Sequence, residues 1–378
     1  MTRLSMEIQR ELGKVCVRTD EYLMGARETT PGTYYGSVWS EKGYHGPLLD
    51  YHAGGSHHHR GAGSAGFAFW RMSEFLGCAA HRRAGEDAFD WLVARQASRG
   101  GFSEIQNNEC PSDWEYTGLE ELSTIATGFV VHGLGHALLS GLPPKATYMN
   151  CLLGAGHWQL SLEWPAGSGV FPHHERSPYN TLNANLHAAE TLAVAFAALS
   201  EVYGRRLNIF LQGARRAVTR TLTHQWDDGC FPYRDHGGVT INYTSLVLWC
   251  LLNVLDVLPP SCSPLVAPPD DVRSAFDRAC AFLRGCVTES GALDWEGNET
   301  STAKHNMWTS VITANVLLRV GGDPNVECAE RIFRHALSLR TERGLLPMRD
   351  RGEAITECAF MQADMLLFML PFARFRGC

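Results

Sequence analysis

The sequence predicts an all-α fold, an (α/α)6 toroid of six outer–inner helix pairs with short strand-like Gly-x-Phe loops at the mouth of a pocket. Three observations carry this expectation. A short mark recurs along the chain: Gly100-Gly101-Phe102, Gly169-Val170-Phe171-Pro172, Gly229-Cys230-Phe231-Pro232, Gly291-Ala292-Leu293-Asp294 and Gly344-Leu345-Leu346-Pro347. Their first glycines lie 69, 60, 62 and 53 residues apart, a spacing that signals a repeat architecture. Before the marks lie helix-period segments with one apolar and one charged face, and after each mark a polar loop leads into a far less charged helical run.

Taken in order, the first unit has an outer helix over 7–24, a long loop over 29–60 and an inner helix over 64–76. A loop of that length is either a lid over the pocket or a seal where the first unit is irregular. The other outer helices are typified by 86–96, 207–223, 272–287 and 328–339. The inner helices follow at 116–139, 183–199, 242–255, 305–320 and 355–370. Inner helices with so few charges must be buried on both sides, which a closed ring achieves; an open solenoid is the alternative. A ring needs all its units, so residues 1–378 are expected to form one domain, and the Pro-rich stretch 259–269 an inter-unit loop.

Composition narrows the function. The chain of 378 residues is 45% hydrophobic and 19% charged, with 33 basic and 40 acidic side chains. That is enough apolar surface for a large core, and a net charge of −7 offers no overall positive field for nucleic acid or an anionic membrane. Charged residues interrupt the N-terminus, and no run approaches the roughly 20 apolar residues of a membrane span, so a cytoplasmic protein is expected. The 12 cysteines are scattered singly and read as small buried apolar residues.

In a toroid, the marks and the starts of the inner helices gather at one mouth. Unit one brings His52, His57, His58, His59 and Arg60 there; unit two Trp114, Glu115 and Tyr116; unit three His173, His174, Tyr179, Asn180 and Asn183. Units four to six add Tyr233, Arg234, Asp235, His236, Asn242 and Tyr243; Trp295, Glu296, Lys304, His305, Asn306 and Trp308; and Arg349, Arg351, Glu353 and Glu357. Two inner helices also carry polar stripes, Asn183, His187 and Glu190 in one and Glu357, Gln362 and Asp364 in the other. Such stripes fit either a wet cavity or buried hydrogen-bond networks.

In its repeat and its pocket composition, nearly the whole chain resembles the α/α-toroid enzymes that process carbohydrates, especially uronic-acid polysaccharide lyases and uronyl hydrolases. The resemblance implies a lyase that cleaves uronic-acid glycans by β-elimination. There the carboxylate is neutralised so that the adjacent carbon-bound proton becomes acidic enough for a base to remove. On that reading Tyr243 or His236 is the base and Arg234 its partner, while Asn183 with His187 and His305 with Asn306 are neutralising pairs. Trp114, Trp295 and Trp308 suit sugar faces, and Arg60, Arg234, Lys304, Arg349 and Arg351 suit an acidic carbohydrate. Substrate contact is also assigned to His52, His57, His58, Glu115, Tyr116, Tyr179, Asn180, Tyr233, Asn242 and Glu357.

Four other functions compete with elimination. A uronyl hydrolase would use carboxylates such as Glu115, Asp235, Asp294, Glu296, Glu353 or Glu357. A sugar epimerase would use histidines as proton shuttles. An isoprenoid cyclase would explain Gln96-Ala97-Ser98-Arg99-Gly100-Gly101-Phe102, although no Asp-rich run accompanies it. A non-catalytic carbohydrate-binding toroid is the last. The run His57-His58-His59 with His52 suits substrate better than metal, His132 and His136 read as a satisfied core pair, and neither metal nor cofactor is expected.

Overall fold

The computed structural model describes residues 4–26, 36–37, 56–57, 59–103, 121–175, 180–234, 237–266, 268–298, 305–351 and 359–375. Its helices alternate between an outer and an inner layer. The outer ones are α1 (Met6–Ala26), α3 (Ala79–Val93), α5 (Ala146–Ser161), α7 (Asn208–Leu222), α10 (Pro269–Gly285) and α12 (Asp323–Ser338). Their inner partners are α2 (His59–Leu76), α4 (Thr124–Leu139), α6 (Leu182–Tyr203), α8 (Ile241–Val257), α11 (Met307–Val320) and α13 (Ala359–Met369). A short α9 (Ser263–Val266) lies in the Pro-rich connection. Each inner helix packs on the next in the order α2, α4, α6, α8, α11, α13, and α13 packs back on α2. The predicted α/α toroid is therefore closed, with α1 completing the outer layer against α12 and α13.

The marks make the ring. In each, the first glycine has a left-handed backbone: Gly100 (φ 103), Gly169 (φ 74), Gly229 (φ 95), Gly291 (φ 87) and Gly344 (φ 80). A four-residue turn delivers the chain to this glycine, as in Gly229 N–H to the Trp226 carbonyl at 2.9 Å and Gly344 N–H to that of Thr341 at 2.8 Å. A Cβ on Gly100, Gly169, Gly229 or Gly291 would run into the backbone of Gly154, Arg216, Arg278 or Arg331, each in the next unit's outer helix. On Gly344 it would meet Arg18 in α1, so the last mark seats on the first helix. Gln225 fastens one such contact by donating to the carbonyls of Gly229 (3.0 Å) and Ala275 (2.9 Å), and Gln96 does the same to Gly100 (2.6 Å) and Cys151 (2.8 Å). Gln96 and its Gly-Gly-Phe are thus parts of the ring's stitching.

The apolar residue of each mark, Phe102, Phe171, Phe231, Leu293 and Leu346, is buried between the layers. Its backbone is caught by the adjoining inner helix: Phe102 N–H donates to Thr127 Oγ1 (2.9 Å), Phe171 N–H to Asn185 Oδ1 (2.7 Å) and Phe231 N–H to Thr244 Oγ1 (3.0 Å). Only Phe102–Ser103 (β3) forms a ladder, antiparallel to Leu122–Ser123 (β4), while the other marks make single bridges. A second antiparallel pair, Gly36–Ser37 (β1) with Ser56–His57 (β2), closes part of the long first loop on itself. The nine cysteines described are all free thiols.

Several boundaries depart from the sequence reading. Helix α2 begins at His59 and not at 64, which places Arg60 on a helix instead of a loop. Its glycines look like breakers, but Gly63 lies against the Phe129 carbonyl and Gly133 against the Gly63 carbonyl, so they permit a close α2–α4 crossing that outweighs helix propensity. Helix α4 starts at Thr124 rather than at 116, because Ser123 caps it by accepting the Ile125 and Ala126 N–H groups at 3.2 Å. Helix α11 starts at Met307, not at His305, because Asn306 is its N-cap and accepts the Trp308 N–H at 2.8 Å. Helix α5 has no Asp, Glu, Lys or Arg, so it lacks the charged face by which the other outer helices were recognised.

Two predictions follow from this frame. Gly229→Ala forces both a left-handed Cβ and a backbone clash, and should lower unfolding stability by about 2–4 kcal/mol in urea titrations. At Gly204, left-handed but with open space around it, the same change should cost about 1–2 kcal/mol. The second concerns His81, whose Nε2 lies 2.6 Å from Asp20 Oδ2, an interaction that raises the imidazole to about 9 despite burial. A raised value in the folded state stabilises below the unfolded value and is lost as pH climbs through the folded one. The wild type should therefore exceed His81→Gln by about 2 kcal/mol near pH 6, and the difference should vanish above about pH 9.

Candidate functional site

The inner helices all begin at one end of the ring, and their first turns set the floor of its mouth. Asp364, wholly buried on α13, is the focus of that floor. It accepts from Arg60 Nη2 (2.5 Å), from the Ser64 hydroxyl (2.5 Å) and from Trp308 Nε1 (3.0 Å). The Arg60 guanidinium also lies 4.1 Å above the Phe129 ring and 5.3 Å above that of Phe360. A buried carboxylate and guanidinium of this kind hold three inner helices together and hand the mouth a fixed, partly exposed cation.

One wall is built by unit four. The rings of Tyr233 and Tyr243 stack at 4.2 Å, with Arg234 5.6 Å over Tyr233. Burial pushes the Tyr243 phenol well above its ordinary value, Tyr233 adds to the shift, and Asn242 and Arg60 only partly oppose it. Burial raises Tyr233 as well. Both phenols therefore stay protonated and suit donation of a hydrogen bond or a proton better than its removal.

The opposite arrangement stands at the start of α11. His305 is the one non-glycine residue with a left-handed backbone among those described (φ 63). Its Nδ1 lies 3.0 Å from Asp350 Oδ1, and its carbonyl accepts the Asp350 N–H at 2.9 Å. The His305 side chain is 28% exposed while that of Asp350 is 3% exposed, so a buried carboxylate orients an accessible imidazole. The bridge between Asn306 and Arg349 fixes the same corner. Strain of this type persists where the surroundings over-determine it, and it concentrates at functional sites.

The other sequence-predicted residues divide as follows. His59 is buried with its Nδ1 2.9 Å from the Ser103 carbonyl, and His173 and His174 stack at 4.1 Å on the rim. Asn180 accepts from Asn185 at 2.9 Å; Asn183 and Asn242 are buried. His187 lies deeper, wholly buried, 5.0 Å from the Phe129 ring and 3.7 Å from Cys250 Sγ, so it is not brought together with the mouth. Trp295 and Trp308 are buried too and offer no open ring face to the mouth. Outside the described residues lie His52, His58, Trp114, Glu115, Tyr116, Tyr179, Asp235, His236, Lys304, Glu353 and Glu357, and the side chain of His57. Sequence reasoning missed Ser64 and Asp350: nothing in a lone serine among small residues, or in an aspartate between two arginines, marks it as a partner across the fold.

Below the floor, the ring holds a second polar region. Phe129 stacks on Trp249 at 5.8 Å, and Trp249 meets Phe368 at 5.4 Å, an aromatic layer between mouth and base. Beneath it a cavity of about 400 Å³ is bordered by His132, His136, Asn253, Asn315 and Arg319. Here His132 Nδ1 lies 2.6 Å from Glu190 Oε1, and Asn253 Nδ2 donates to the same oxygen at 2.9 Å. Burial lowers both imidazoles to about 3 and raises Glu190 to about 7.

The floor yields a stability test. Asp364→Ala strands a partly buried guanidinium and should cost about 3–5 kcal/mol by urea unfolding, with Asp364→Asn, which keeps an acceptor, costing less.

No protein-family profile matches the chain, and no curated protein sequence matches it. Solved structures do. A D-mannose isomerase superposes with a TM-score of 0.69 at 13% identity over 95% of this chain and 97% of its own. The cellobiose 2-epimerase of Spirochaeta thermophila gives 0.70 at 12% identity over 97% and 96%. An unsaturated glucuronyl hydrolase specific for heparin gives 0.66 at 12% identity over 97% of each chain. At such identities the likeness establishes the fold: this chain has the α/α toroid of those sugar enzymes along almost its entire length.

Proposed function

We propose that the chain is a sugar-converting enzyme that moves a carbon-bound proton beside a carbonyl, the step of an epimerase or aldose–ketose isomerase, with His305 as base. The observation that carries this reading is the His305–Asp350 pair, an accessible imidazole fixed through Nδ1 by a buried carboxylate and by a strained backbone. An imidazole is the side chain able to take and return a proton near neutral pH. The protonated phenols of Tyr233 and Tyr243 are suited to donate to the carbonyl oxygen as it gains charge. The likeness to an epimerase and an isomerase supports the same assignment. The reading takes residues 1–378 as one ring.

β-Elimination from a uronate shares the first step, and the arginines Arg60, Arg234, Arg349 and Arg351 favour a substrate carrying a carboxylate. What disfavours elimination by Tyr243 is burial, which opposes the phenolate a base requires. Hydrolysis needs a carboxyl group free to protonate a leaving oxygen. Among the described residues, Asp364 is committed to three donors and Asp350 to His305, so a hydrolase would turn to the exposed carboxyls of Asp294 or Glu296.

The test is incubation in D2O with reducing sugars and uronates, neutral and acidic. Deuterium should enter the carbon beside the carbonyl. His305→Ala should lower kcat by about 10²–10⁴-fold, and Asp350→Asn should lower kcat by less with KM little changed, as expected of a positioning residue. An unsaturated uronate absorbing in the ultraviolet would instead establish elimination, and new reducing ends without exchange would establish hydrolysis.

A further inference from the structure

We infer that His132, His136 and Glu190 form a binding site for a divalent transition metal of the zinc class, at the base of the ring and distinct from the mouth. The two histidines stand four residues apart on α4, so their side chains leave the same face of the helix, and Glu190 meets them from α6. One ring nitrogen of each histidine and a carboxylate oxygen all lie within 4.8 Å of one another. Tetrahedral zinc with bonds of about 2.0–2.1 Å holds its ligands roughly 3.4 Å apart, so small side-chain rotations turn this cluster into a three-ligand shell.

The partners of these groups point the same way. His136 Nε2 is buried with no hydrogen-bond partner, and so is Oε2 of the wholly buried Glu190, with the Cys250 thiol beside that carboxyl. Buried polar atoms rarely stand unpaired. An outer shell is already built: Asn253 holds Glu190 Oε1 at 2.9 Å, and Arg319 holds Asn253 Oδ1 at 2.7 Å. Arg319 is itself turned toward Asp256 at 2.7 Å, which tempers its repulsion of a cation. Phe67 packs against both histidines, 5.6 Å from one ring and 5.7 Å from the other. The adjacent cavity of about 400 Å³ leaves room for water as a fourth ligand.

The full chain, stripped with chelator and dialysed, is titrated with Co2+ and then with Zn2+. The site predicts one Co2+ per chain with the intense visible bands of a four-coordinate ion, displacement by Zn2+, and a rise in Tm on Zn2+ addition. His136→Gln, checked for folding by circular dichroism, should lose at least about tenfold in affinity, and Glu190→Gln likewise, whereas His174→Ala at the rim should retain it. Sub-stoichiometric uptake, the pale spectrum of six-coordinate Co2+, or unchanged affinity in folded His136→Gln overturns the site. Should His136→Gln not fold, the wild-type stoichiometry and spectrum decide alone.

Discussion

The ring depends on a backbone contact that only glycine allows. At Gly100, Gly169, Gly229 and Gly291, a left-handed turn brings the chain against the backbone of the next outer helix. A side chain there would meet both a forbidden dihedral and a neighbouring backbone. The same turn delivers a buried Phe or Leu between the layers. One small device thus spaces the units and fills the gap between them. Because Gly344 seats on Arg18 of α1, it also closes the circle.

That device explains what was legible in the sequence. The marks are conspicuous because glycine and a large apolar residue are each required within a few positions, and the inner helices because burial on all sides excludes charge. Helix α5 escaped because it has no charged face. The early start of α2 escaped because Gly63 serves helix packing, where local propensity alone suggests a loop. At the site, residue types such as Arg60, Tyr243 and His305 were visible from their positions at the mouth. Their pairings were not, since Asp364 lies 304 residues from Arg60 and Asp350 lies 45 from His305. Pairing across a ring is set by closure, which no local pattern records.

The polar stripes on the inner helices resolve into separate physical tasks. Asn185, Thr127 and Thr244 capture the N–H groups of the marks, and Gln362 donates to the Leu346 carbonyl at 2.9 Å. Asp364 gathers Arg60, Ser64 and Trp308 into the floor. Glu190 and Asn253 belong to the base. A polar residue on a buried helix is costly unless paired, and Asn185, Thr127, Thr244 and Asp364 each pair with what the ring closure brings opposite them.

The aromatic layer of Phe129, Trp249 and Phe368 lets one set of helices support two environments. Above it, Arg60 spreads over Phe129 and is partly exposed. Below it, the Trp249 ring lies 4.7 Å from that of His132, and burial drives the neighbouring imidazoles neutral. Each side keeps its charge in a pair, Arg60 with Asp364 above and Arg319 with Asp256 below. The layer also separates two histidine environments: His305, accessible and oriented by a carboxylate, and His132 with His136, which border the cavity at the base. Their depth along the ring axis separates these environments, and closure of the toroid sets that depth.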